Sequence, residues 1–381
     1  MSLPPLSLYV HVPWCVRKCP YCDFNSHQRS GALPETAWLE RICADLDSER
    51  EAAADRPLTS IFIGGGTPSL LSPATIEGLL GAVRQRFELT ADAEITLEAN
   101  PGTAEADRFR GFYAAGVNRL SIGVQSFDDD ALRRLGRIHG GAEARRAIDL
   151  AQGAGFERIN ADLMHGLAGQ TRRSALEDLR TALAQGVTHL SWYQLTIEPN
   201  TAFHSRPPTL PCEDVLAQIE DAGAELLVAA GLRRYEVSAW ATPDQESRHN
   251  LGYWRFGDYL GAGPGAHGKI TLPRGEEGMT VIRTRRTRVP DDWLGGAPLA
   301  PARNVSPVPA DALAGEFMMN ALRLIDGVEE PLFAARTGLA LEDIAPTLAA
   351  LRSEGLLQEA QLATTDIGLR FLDRVVARFL A

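Results

Sequence analysis

The chain has 381 residues, of which 45% are hydrophobic and 23% charged, enough apolar surface for one large domain or two to three ordinary ones. Its 38 basic and 49 acidic residues leave a formal charge of −11, which repels phosphate backbones and argues against general nucleic-acid binding. No apolar run reaches the ~18 residues of a membrane span, and MSLPPLSLYVHVPWC lacks the features of a secretory signal, so a cytoplasmic location is expected.

In chain order, β-rich runs alternate with amphipathic stretches up to about residue 200. The strand candidates are Leu6–Val12, Ser60–Ile63, Glu94–Ala99, Arg119–Val124, Arg158–Met164 and His189–Ile197. Helix-like stretches lie near 36–54, 73–87, 103–115, 128–153, 172–186 and 213–230. Strand followed by helix, repeated, predicts right-handed crossovers and a parallel sheet. Both an open doubly wound sheet and a (β/α) barrel satisfy that pattern. Polar residues at successive strand ends favour the barrel: Cys15, Gly64 to Thr67, Glu98, Asn100, Gln125, Asp162 and Glu198. A barrel gathers such ends around one mouth.

Beyond Arg233 the rhythm changes. A strand-like segment, Tyr235–Trp240, leads to HNLGYW at 249–254 and a glycine-rich stretch at 257–268. The arginines 283, 285, 286 and 288 alternate like one face of a strand and are expected at a solvated sheet edge. A Pro/Gly/Ala-rich linker (295–310) precedes a smaller unit. Its helices at 311–325 and 341–354, the turn at Gly355 and the segment Thr364–Leu380 suggest a winged-helix module.

Cysteine carries the sharpest chemical signal. Of five, Cys15, Cys19 and Cys22 fall within eight residues, whereas Cys43 and Cys212 stand alone and are expected to be buried small hydrophobes. Three thiolates spaced C-x3-C-x2-C can hold three irons of a [4Fe–4S] cluster and leave the fourth iron open. The rival reading is zinc held by these thiolates and His27.

Taken with this motif, the segments LYVHVPWCVRKCPYCDF, IFIGGGTPSLL, ITLEANPG, LSIGVQSF, LGRIH and INADLMHGL resemble the radical S-adenosylmethionine (SAM) superfamily. The likeness is specifically to the anaerobic coproporphyrinogen III oxidase group and its haem-chaperone branch, and it runs from about Pro4 to the C-terminus. It implies an α/β fold: a partial (β/α)6 TIM-like barrel followed by a small α+β winged-helix-like C-terminal domain. The expected boundaries are 1–235 for the barrel, 236–300 for a connecting segment carrying HNLGYW, and 301–381 for the C-terminal unit.

The resemblance also implies roles. Cys15, Cys19 and Cys22 would ligate the cluster, and SAM would chelate the open iron. Tyr9, Tyr21, Gly65, Gly66, Thr67 and Glu98 match SAM-contacting positions, and Gln125, Arg137 and Asp162 match positions that in the oxidase contact a second SAM and that here could hold SAM, a porphyrin group or nothing. HNLGYW resembles the motif associated with haem binding in the chaperone branch, which makes His249 a candidate haem ligand; His267, in GAHGK, is a second. Arg137 and Asp162 could instead simply pair with each other across the barrel mouth.

Two departures separate the branches. The oxidase has a further cysteine where this chain has Phe24, and a long N-terminal extension where this chain starts eight residues before Tyr9. Both favour a haem chaperone over a porphyrinogen decarboxylase. The expected partners are haem and acceptor haem proteins, with respiratory and membrane-associated ones among the candidates, and no nucleic acid; self-association is left open.

Overall fold

The computed structural model describes residues 3–273, 278–296 and 303–380. Six strands run parallel and adjacent in chain order: β1 (Leu6–Val12), β2 (Leu58–Gly65), β3 (Leu89–Ala99), β4 (Arg119–Gln125), β5 (Arg158–His165) and β6 (His189–Gln194). Sequential order without reversal is barrel winding rather than doubly wound topology, so the sequence expectation holds. The barrel does not close on itself, because each edge strand takes other partners.

Those partners come from the segment expected only to connect. On one side the short hairpin β7 (Arg233–Glu236) and β8 (Ala239–Ala241) adds to β6. On the other side β9 (Asp258–Ala262) pairs parallel with β1, and β10 (His267–Pro273), β11 (Met279–Arg286) and β12 (Arg303–Pro307) continue antiparallel. The result is one twelve-stranded sheet. The expected 295–310 linker falls partly outside the described residues, and its residues 303–307 form β12.

The presence of β12 corrects the reading of the arginine cluster. β11 is an interior strand, and Arg286 is buried between Asp45 (3.0 Å) and Glu49 (2.6 Å) on the helix Glu35–Ala53. Arg283 pairs with Glu316 and bonds Tyr259. Only Arg285 and Arg288 of the four are exposed. Cys43 is half-buried, and Cys212 is exposed at the start of the helix Glu213–Ala229 rather than in the core.

Side-chain alternation along the strands explains the architecture. In β1, Leu6, Leu8, Val10 and Val12 join Trp38, Ile42 and Leu46 in the outer core beneath the helices. Ser7, Tyr9 and His11, at the intervening positions, face the barrel interior. Register carries this inward face across the sheet through Phe62, Thr96, Glu98, Ser121, Asn160, Asp162, Ser191 and Tyr193. The lumen is therefore polar and its outer wall apolar.

The helical stretch expected at 128–153 is two helices, Asp129–Arg134 and Gly141–Gly153. Gly136, with φ of +72°, breaks it and brings the LGRIH loop against Pro20 of the cysteine loop. The C-terminal unit packs Phe317, Phe333, Leu348 and Leu351 into its own core, to which Phe256 and Val281 of the sheet region contribute. Its helices are Ala310–Ala321, Pro331–Thr337, Ala345–Ser353, Asp366–Arg370 and Leu372–Ala377, and beyond β12 its β structure among the described residues is confined to isolated bridges such as Leu357 to Thr364. No helix among the described residues is long and apolar enough to cross a membrane.

Candidate functional site

The strand ends converge on one cavity of about 540 Å³. Cys15, Cys19 and Cys22 line it together with Tyr21, Gly65, Gly66, Thr67, Glu98, Gln125, Arg137 and Asp162. Each thiol lies within hydrogen-bond reach of its own polar neighbour: Thr67 Oγ1 donates to Cys15 Sγ (3.5 Å), Arg137 Nη1 donates to Cys19 Sγ (3.5 Å), and Ser26 Oγ lies 3.4 Å from Cys22 Sγ. Such polar neighbours can satisfy anionic sulfur, the form that binds metal. Burial nevertheless raises the Cys15 thiol, with Thr67 opposing and the other two cysteines adding to the rise. Among the described residues no three Cys, His, Asp or Glu side chains converge as ligands of a single ion. His27 lies with Nε2 3.1 Å from Asn25 Oδ1, so the Cys3His zinc reading gains no support.

The glycine turn after β2 is held against the cysteine strand. Gly66 N–H donates to Val12 O (2.7 Å) and Thr67 N–H to Trp14 O (2.8 Å). Gly65 sits at φ of +116°, and a Cβ there would meet the His11 ring at 2.5 Å; a Cβ at Gly66 would meet Trp14 O at 2.6 Å. No other residue type fits either place without displacement. Glu98 Oε2 accepts the Gly65 N–H at 3.0 Å. Burial raises the Glu98 carboxyl to about 8, the Asp162 charge adds to the rise, and the Gly65 bond opposes it. Asp162 is raised as well, chiefly by burial, against bonds from Asn160 (2.8 Å) and Ser121 (3.1 Å).

Arg137 and Asp162 do not pair. Arg137 reaches Cys19 and Gly123 O (2.7 Å) instead. Gln125 ends β4 at φ of +67°, unusual for a residue other than glycine, and its Oε1 accepts from Tyr193 (2.8 Å). Tyr193 was not singled out from sequence, although the strand-end logic that found Asp162 applies to it equally. Arg323, from the C-terminal unit, also lines the cavity, and no local signal marks it.

Three candidates lie elsewhere, His267 among them on the wall of a neighbouring cavity. Tyr9 lines the same cavity, of about 640 Å³, and bonds His11 Nδ1 (2.9 Å), its partner on the same face of β1. His249 lines neither cavity. It belongs to the helix Arg248–Trp254, whose first backbone N–H groups bond the Glu94 carboxylate inside the lumen. Only 1% exposed, His249 has Nδ1 at 2.9 Å from Ser60 Oγ and Nε2 at 3.0 Å from Tyr253 OH. Burial, reinforced by Arg119, lowers its imidazole to about 3. In this conformation neither ring nitrogen is open to an iron. The same helix turns Asn250 and Trp254 into the first cavity and Tyr253 into the second.

An open barrel carrying a three-cysteine loop and a glycine cradle at its strand ends defines a radical SAM protein. A family model described as the Radical SAM superfamily matches residues 9–182, and one described as the HemN C-terminal domain matches 308–371. The chain is 51% identical to the heme chaperone HemW of Escherichia coli (strain K12), over 100% of both chains. It is 46% identical to that of Haemophilus influenzae, over 100% of this chain and 99% of that one. The mouse mitochondrial radical S-adenosyl methionine domain-containing protein 1 is 42% identical over 76% of this chain and 66% of its own. Among solved structures, the E. coli coproporphyrinogen III oxidase HemN superposes with a TM-score of 0.82 over 100% of this chain and 91% of that one. At 23% identity that likeness shows the shared fold. The chain belongs to the HemW family. Members of the radical SAM superfamily bind a [4Fe–4S] cluster and SAM.

Proposed function

We infer that this protein is a haem chaperone that binds haem beside a SAM-ligated [4Fe–4S] cluster and passes the haem to acceptor haem proteins. The carrying observation is full-length identity of 51% to a protein named for that role, covering barrel and C-terminal unit alike. Cys15, Cys19 and Cys22 would hold the cluster, and their separate polar neighbours fit thiolate ligation. When bound, the cluster and SAM together supply redox chemistry. The turn Gly65, Gly66, Thr67 would cradle the methionine part of SAM, and Glu98 would accept from its amine. Tyr21, Gln125, Arg137 and Asp162 would orient the rest, with Tyr9 closing the far side. Acceptors in respiratory membranes and action from the cytoplasm complete the reading.

The oxidase reading has one structural observation to answer. Phe24 stands where the oxidase has a cysteine, and its ring is 61% exposed at the edge of both cavities. The test is anaerobic purification, reconstitution with iron and sulfide, and titration first with haem and then with coproporphyrinogen III plus SAM and a reductant. Stoichiometric haem binding without decarboxylation is expected. Decarboxylation over many turnovers would make the protein an oxidase.

A further inference from the structure

The second cavity is adjacent to the cofactor cavity, and its wall has a different chemistry. Antiparallel pairing sets His267 of β10 directly opposite Arg285 of β11, so both side chains leave the same face of the sheet. Arg288 follows three residues later and lines the same space. Its backbone is fixed by the cysteine loop, since Asn25 Nδ2 donates to Arg288 O and to Pro264 O, each at 2.9 Å. Arg285 and Arg288 are both exposed, and among the described residues neither makes an ion pair, whereas their neighbours Arg283 and Arg286 do. Two cations left open on one wall of a protein of net charge −11 are a feature that a dianionic ligand would use.

Aromatic side chains line the cavity beside these cations. Tyr253 packs edge to face on Tyr259 with centroids 4.5 Å apart, and Trp254 and Phe24 border the same cavity. His267 is exposed and forms no side-chain hydrogen bond among the described residues, in contrast to His249, whose two ring nitrogens are both engaged. A volume of about 640 Å³ suits a ligand of tetrapyrrole size.

The geometry points to this second cavity as the haem site, with His267 as the axial iron ligand, Arg285 and Arg288 as the propionate clamp, and Tyr253 and Trp254 against the ring. The inference rests on the haem-chaperone reading and gives HNLGYW a positioning role. In it His249 locks the helix to Ser60 and holds the Tyr253 hydroxyl, so that Tyr253 and Trp254 face the haem.

The test uses the full chain with reconstituted cluster, titrated with haemin, with iron-free protoporphyrin IX and with haemin dimethyl ester, followed by visible spectra. His267→Ala should weaken haemin about tenfold or more and shift its Soret band, leave protoporphyrin IX unaffected, and regain the wild-type spectrum with added imidazole. Arg285→Ala with Arg288→Ala should weaken haemin and protoporphyrin IX about tenfold or more and leave the dimethyl ester unchanged. His249→Gln should keep the wild-type Soret position. Unchanged cluster iron in each variant is the folding control. If wild type binds haemin and the His267 and arginine variants match it, the site lies elsewhere while the chaperone reading stands. Loss of the iron signature in His249→Gln but not in His267→Ala would likewise overturn the assignment. If wild type binds no haemin at all, both readings fall.

Discussion

Glu98 accepts the N–H of Gly65 at 3.0 Å from a half-buried position on the cavity wall, so the acid that ends β3 pins the glycine turn that ends β2. With its carboxyl raised to about 8, Glu98 is mostly protonated at neutral pH. The SAM amine, donating to Glu98 as proposed above, favours the carboxylate. Binding of SAM should therefore release close to one proton at about pH 7, and almost none above ~pH 9, where the group is already ionised. Calorimetry in buffers of different ionisation enthalpy measures this directly; no proton release would separate Glu98 from the SAM amine.

The same shift has a stability consequence with a definite sign. Between the ordinary value of 4.5 and about 8 the folded protein holds a proton on Glu98 that the unfolded chain has lost, so this group's contribution declines as pH rises through that window. Glu98→Gln keeps a neutral side chain at every pH. Without SAM, the variant should gain thermal stability over wild type progressively as pH rises through this window, and it should bind SAM about tenfold or more weakly. Melting curves at several pH values check the first expectation. A pH-independent difference would contradict it.

Gly66 and Gly153 make a controlled pair. A methyl at Gly66 would sit 2.6 Å from the Trp14 carbonyl, which is backbone and cannot swing away. Gly66→Ala should cost about 1–3 kcal/mol and reduce SAM affinity. Gly153 ends a helix with open space around it, so Gly153→Ala should leave SAM binding alone and stabilise by about 0.5–1 kcal/mol. Urea denaturation and SAM titration on both variants decide this.

Much of this site was legible because barrels bring strand ends together. Cys15, Gly65, Glu98 and Gln125 are far apart in the chain, yet each follows or ends an apolar run, a placement that points to one cavity, which Asp162 reaches from inside β5. Period-two alternation within strands was equally readable: Ser7, Tyr9 and His11 against Leu6, Leu8, Val10 and Val12 already describe a polar lumen. What escaped the reading depends on long-range pairing. HNLGYW carries no hint that Glu94, 155 residues before His249, bonds the backbone of that helix. The segment Arg303–Pro307 is too polar and too proline-flanked to announce a strand, so β11 looked like an edge and Arg286 like a surface residue. Arg323 reaches the cavity only because the C-terminal unit packs against it.

Arg286 offers a prediction outside the site. It lies between Asp45 and Glu49 and also donates to Gly261 O at 3.1 Å, fastening the sheet extension to the helix Glu35–Ala53. Burial raises the Glu49 carboxyl, with Arg286 and then Arg303 pulling it back. Arg286→Ala leaves the buried Asp45 without an ion-pair partner among the described residues and Glu49 with Arg303 alone, and should cost about 3–5 kcal/mol. Lys at this position restores the charge but not the planar fork, so Arg286→Lys should recover only part of the loss. Equilibrium denaturation reads both, and equal stability of the two variants would mean that geometry, not charge, carries the contribution.

Arg137 makes the complementary prediction within the site. It donates Nη1 to Cys19 Sγ at 3.5 Å while Nη2 holds Gly123 O at 2.7 Å, so β4 fixes a cation against a sulfur proposed to bind iron. Reducing a cluster adds negative charge, which a nearby cation and a hydrogen bond to sulfur both favour. Arg137→Ala removes both and should move the cluster potential to more negative values without lowering bound iron, since all three cysteines remain. Arg137→Lys keeps the charge on a stem that cannot reach both partners, and should fall between the variant and wild type. Potentiometric titration followed by electron paramagnetic resonance measures the order. If the lysine variant matches alanine, the hydrogen bond to Cys19 controls the potential; if it matches wild type, the charge does. A potential unchanged in both would show that Arg137 does not tune the cluster and leave it only its bond to the β4 carbonyl.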